Sequence, residues 1–122
     1  MTQSHDDTAN LVAFRISPEL MEQAQAALRA VREDPSDEDR LGALVEVILE
    51  LTDRGMDFYY MEPLRRAQVG AITASAARLG LAAASRGIPA IIRRVVSSLD
   101  EEQVLSIAGF VDEILIREGE GP

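Results

Sequence analysis

The chain has 122 residues, 47 % of them hydrophobic and 27 % charged, which places it among folded single domains with one core and excludes disordered or fibrous classes. It contains no cysteine, which excludes a disulfide framework, a thiolate metal site and a cysteine nucleophile. The net charge of −9 conceals a segregation: residues 1 to 63 carry fourteen acids and five arginines, residues 64 to 99 six arginines and no acid, and residues 100 to 122 seven acids and one arginine.

The first ten residues, MTQSHDDTAN, are polar and acidic where an export signal would be basic and then apolar. A disordered acidic tail and a cytoplasmic location are therefore expected, the latter also fitting the lack of cysteine. The only histidine, His5, falls in this tail, so no imidazole is placed for acid–base chemistry. LVAFRI, residues 11 to 16, alternates with Val12, Phe14 and Ile16 on one side, as a short strand or extended arm would.

Ser17-Pro18-Glu19 is a helix start: a hydroxyl cap, a first-turn proline and an acid favourable to the helix dipole. Leu20, Ala24, Ala27, Leu28 and Val31 then recur at the three- and four-residue steps of one buried face, and Asp34-Pro35 ends the helix. Residues 12 to 31, VAFRISPELMEQAQAALRAV, resemble the strand-then-helix opening of ribbon-helix-helix DNA-binding proteins. That resemblance implies an arm whose strands pair across a dimer. Of the outward strand positions Leu11, Ala13 and Arg15, only Arg15 could hydrogen-bond a base edge, and the flanks are acidic, so nucleic acid is not an expected partner.

Ser36 with Asp39 resembles a capping box for a second helix, whose apolar stripe Leu41, Leu44, Val45, Ile48 and Leu51 is expected to stop at Gly55. Next comes MDFYYMEPLRR, residues 56 to 66, with three of the five aromatics in consecutive positions. Phe58, Tyr59, Tyr60, Glu62, Arg65 and Arg66 join rings, hydroxyls and both signs of charge. This cluster reads as a plug at the end of the core, as an interface patch rich in aromatics and arginine, or as a pocket for an anionic aromatic or lipid-like ligand.

Pro63 is expected to open a third helix reaching Ala84. Along it Gly70, Ala74, Ala77, Gly80 and Ala84 set small residues at helical steps, a surface for close helix packing. Ser85-Arg86-Gly87 breaks it, and Ile88-Pro89 opens an amphipathic fourth helix with Ile88, Ile91, Ile92, Val95 and Leu99 apolar and Arg93-Arg94 opposite. Arg86, Arg93 and Arg94 form a candidate basic patch unless carboxylates of neighbouring helices take them up. Asp100 with Gln103 is a capping box, stapled by Leu99 and Val104, for a fifth helix that buries Val104, Ile107, Ala108, Val111, Ile114 and Leu115. Residues 119 to 122 are expected to fray.

The acidic runs Asp37-Glu38-Asp39 and Asp100-Glu101-Glu102 sit at helix starts, where dipole and cap explain them. Gly70 and Gly80 lie in a helical pattern with no preceding strand, so no phosphate-binding loop is expected. Catalytic residues, metal ligands and cofactors are all expected to be absent. The expected fold is all-α, a compact bundle of about five helices over residues 11 to 118, with the third and fifth helices central and the N-terminal arm able to pair across a dimer. The expected function is a non-enzymatic protein–protein interaction or scaffolding module, homodimeric and able to take another protein as partner. The alternative is a peripheral membrane or anionic small-molecule binding protein that uses the basic segment 64 to 99.

Overall fold

The computed structural model describes residues 13–116, which are all-helical without a strand among them. The expected tail at residues 1 to 10, with His5, lies outside the described residues, as do Leu11, Val12 and the fraying end at 119 to 122.

Helix α1 (Pro18–Glu33) begins where Ser17 Oγ accepts a hydrogen bond from the Leu20 N–H at 3.1 Å, and it ends at Asp34. The Asp34 carboxylate accepts from both the hydroxyl and the N–H of Ser36, at 2.8 and 3.2 Å, which closes the turn and holds its pKa below the usual carboxylate range. With Ser36 so engaged, the cap of α2 (Glu38–Met56) falls to Asp37, whose Oδ1 accepts from the Asp39 and Arg40 N–H groups at 2.8 and 3.3 Å. Arg40 then reaches back to α1, donating to the Ala30 carbonyl and the Glu33 carboxylate, each at 3.0 Å.

The expected stop at Gly55 does not occur. Helix α2 runs on through a π-helical turn (Asp57–Met61), where the Glu62 N–H bonds the Asp57 carbonyl five residues back, into α3 (Glu62–Ala67). Gly55 instead provides a packing surface: a Cβ built on it would meet two ring carbons of Phe14 at 3.4 Å. The π turn lies just ahead of Pro63, whose ring in a regular α-helix would press on the carbonyl of Tyr59; a wider turn relieves that contact.

The rod ends at Gln68, the only non-glycine residue with positive φ among those described (φ 57°, ψ 44°). Its N–H bonds the Arg65 carbonyl at 3.2 Å, and the Val69 N–H bonds the Leu64 carbonyl at 3.4 Å, the paired closure of a Schellman turn. The expected third helix is thereby divided, because Pro63 belongs to the first rod and α4 (Ala71–Ser85) begins afresh after Gly70. Helices α5 (Ile88–Ser97) and α6 (Glu101–Ile114) follow. Helix α6 opens with both bonds of the capping box, Asp100 Oδ1 accepting from the Gln103 N–H at 2.8 Å and Gln103 Oε1 from the Asp100 N–H at 3.0 Å.

The core is built by α1, α2 and α6. Ala24, Ala27, Leu28 and Val31 meet Leu44 and Val47, and Val104, Ala108, Val111 and Leu115 close the third side. The Arg32–Asp112 ion pair at 3.2 Å ties α1 to α6 at the edge. Helix α5 lies on α2 and buries Val96. The expectation that the helix carrying the small residues is central is corrected: α4 touches only α5 and the π turn closely and buries none of its residues. Its side chains are mostly Ala, Ser and Thr, too small to compete for the core against the Leu and Val faces of α1, α2 and α6.

Candidate functional site

Residues 13 to 17 form no strand, so the paired arm implied by the ribbon-helix-helix resemblance is not present in the described part of that segment. The segment is tied down by its own chain instead. Phe14 and Ile16 turn inward and Ala13 and Arg15 outward, Ile16 packing on the core and Phe14 lying on Gly55. The Phe14 ring stacks on Phe58 with centroids 5.9 Å apart and meets Tyr59 edge-on at 6.2 Å, while Phe58 and Tyr59 meet edge-on at 5.1 Å. Such offset and edge-to-face pairs are the favoured geometries for aromatic rings. Phe58 is half-buried in this trio, Tyr59 forms its outer wall, and Tyr60 points to solvent at 61 % exposure.

The charged members of the cluster are engaged with one another. Arg65 holds Asp57 with two nitrogens, at 2.8 and 3.4 Å, and donates to Glu62 through Nε at 2.9 Å; Arg66 donates to the other Glu62 oxygen at 3.0 Å. Hydrogen bonds from Arg65, joined at Glu62 by Arg66, hold the Asp57 and Glu62 carboxyls below their ordinary values, and the pairing raises the Arg65 pKa in turn. The π turn makes this possible. In a regular helix residues 57 and 65 would be about 80° apart around the axis, and the extra residue of the π turn brings them to within about 20°. Because its arginines already neutralise carboxylates, the cluster lacks the free cation that an anionic ligand would need.

The candidate basic patch divides. Arg93 is paired with Glu46 of α2, whereas Arg86 and Arg94 make no ion pair among the described residues. Helix α5 turns Ile92 and Val96 toward α2 and leaves Ile91 and Val95 exposed, at 62 % and 54 %. Gly70, Ala74, Ala77, Gly80 and Ala84 make no close helix contact within the chain: a Cβ on Gly70 or Gly80 would have nothing within 4 Å. Only Ala74 and Ala77 of that set are half-buried, on the inner side of α4 with Leu81 and Ser85.

What the small-residue pattern concealed is the opposite face. Ile72 and Leu79 stand out from α4 at 87 % and 72 % exposure, in line with exposed Ala76 and Ala83. The signal was in the sequence as the four- and three-residue spacing of those positions. A second feature not foreseen is a shallow cleft of about 170 Å³ between α2 and the α4–α5 junction, lined by Glu46, Leu49, Glu50, Thr52, Asp53, Ser85, Ile88 and Pro89. It is smaller than the roughly 300 Å³ at which small-molecule pockets begin, and Glu46 and Glu50 already pair with Arg93 and Arg54. No group of three or more His, Cys, Asp or Glu among the described residues could hold a metal ion, and none of their helices is long and apolar enough to cross a membrane.

No family model, curated protein or solved structure matches this chain.

Proposed function

We propose that this chain is a non-enzymatic interaction module that associates with itself through the outer face of α4. One observation carries the reading: a fifteen-residue helix of mainly apolar composition buries nothing, and its two largest outward side chains, Ile72 and Leu79, are 87 % and 72 % exposed. Helices that are apolar all round are ordinarily covered, and an exposed apolar patch marks a contact surface. The mixed-charge cluster around Arg65 serves to fix α3 and the N-terminal segment against α2, a structural role.

The magnitude follows from the side chains. Covering Ile72 and Leu79 on each of two copies is worth about 1.5–3 kcal/mol per side chain, hence roughly 6–12 kcal/mol before association costs of about 4–15 kcal/mol. Affinity in the micromolar range is therefore expected. Sedimentation equilibrium from about 1 to about 300 µM should show a monomer–dimer transition, and Leu79→Glu should abolish it while leaving the helical circular dichroism unchanged. A monomer throughout that range would refute the reading.

The exposure of Ile91 and Val95 beside the unpaired Arg94 favours a second reading, in which α5 lies on an anionic lipid surface or holds a small anionic ligand. For the lipid case, Arg86→Glu with Arg94→Glu would then remove retention on phosphatidylserine vesicles. Arg93 is the wrong residue for such a test because its pairing with Glu46 is part of the fold.

A further inference from the structure

The outward line of α4 is Ile72, Ala76, Leu79 and Ala83, with steps of four, three and four residues. That is the spacing of a coiled-coil seam, confined within about 60° of the helix circumference, and along it large and small side chains alternate. The alternation has a symmetry. A two-fold axis placed between positions 77 and 78 exchanges 72 with 83 and 76 with 79, so an antiparallel second α4 sets each large side chain opposite a small one.

Resting on the self-association reading, we propose that two copies pair their α4 helices antiparallel in this register, Ile72 over the partner's Ala83 and Leu79 over the partner's Ala76. A parallel pairing would set Ile72 on Ile72 and Ala76 on Ala76, a clash followed by a gap, whereas the antiparallel one fills both layers. The flanks of the seam are Ser75 on one side and Gly80 on the other, both exposed and neither bulky, so the axes can come close. An isologous contact of this kind closes on itself and stops at two subunits.

Charge favours a second copy over other occupants. The chain carries −9, so any partner or surface rich in carboxylate or phosphate is repelled at long range. The seam itself is neutral and α4 has no acid, which makes it a place where two such acidic chains can touch without opposing carboxylates. Arg78 sits away from the seam, on the side where its charge helps hold Asp57 ionised.

The absence of cysteine makes the register directly measurable. Ile72→Cys and Ala83→Cys are both at exposed positions, so neither should perturb the fold. Oxidation of an equimolar mixture, at a concentration where the wild-type chain sediments as a dimer, should give a covalent mixed dimer. Neither variant alone should give one, because two copies of position 72 lie about 16 Å apart along the axis, beyond the roughly 7 Å a disulfide spans. A covalent dimer from Ile72→Cys alone would overturn the antiparallel register and leave self-association standing. A dimer by sedimentation with no cross-link in any sample would do the same. A wild-type chain that stays monomeric would overturn both the register and the reading beneath it, and retention of that monomer on phosphatidylserine vesicles would give the face to a membrane instead.

Discussion

Arg65 is a residue whose value depends on both of its neighbours remaining ionised. Asp57 and Glu62 have depressed pKa values in the folded chain, so what they contribute is fully present above their unfolded pKa values and is lost as pH falls through the folded ones. Wild-type melting temperature should therefore decline below about pH 4, and Arg65→Gln should flatten that decline in a thermal melt series from about pH 6 to about pH 2. Superimposable profiles for the two chains would show that the ion network contributes nothing to stability. At this scale the sequence was most legible where the partner is three residues away. Ser17 and Asp100 act as the caps their positions imply, because a cap is decided by local backbone geometry. Gly55 was misjudged because its purpose is set by Phe14, a residue remote in sequence whose ring needs a flat backbone to lie on.

At the scale of elements, the informative break is at Gln68. A left-handed conformation costs a residue with a Cβ about 1–2 kcal/mol, a penalty glycine does not have. Gln68→Gly should stabilise the chain by about 1 kcal/mol and raise its melting temperature by about 4–6 °C in a calorimetric scan. A lower melting temperature would mean that the Gln68 side chain contributes more than its backbone costs. Apolar spacing sufficed to place α1, the start of α2, and α6 with its buried face. It could not place the end of the rod, since Gly55 and Pro63 are both ordinary punctuation signals that the helix passes through and Gln68 is not one.

For the whole molecule, net charge and contact surface pull in opposite directions. Two chains of −9 repel while their α4 seams attract, so screening should tighten the pair. Raising ionic strength from about 20 to about 300 mM, which shortens the Debye length from roughly 20 Å to roughly 6 Å, should lower the dissociation constant measured by sedimentation. Weakening with salt would instead indicate an attachment held by Arg86 and Arg94, as expected for an anionic surface. The segregation of charge was plain in the sequence, and its arginines proved to be of two kinds: Arg65, Arg66 and Arg93 taken up by acids of the chain, Arg86 and Arg94 not. Only the fold could separate them, because Glu46 meets Arg93 through the packing of α5 on α2.

The π turn at Asp57–Met61 has a geometric consequence for inheritance as well as for packing. One residue added to or removed from a helix turns everything beyond it by about 100°. Deleting Tyr60, whose side chain points to solvent, would cost the core nothing directly, yet it would swing α4 and its outward seam around the axis of α2. The single most dispensable-looking aromatic therefore sits at a position that sets the compass bearing of the surface through which two copies would meet. A lineage can replace it by substitution far more readily than it can lose it.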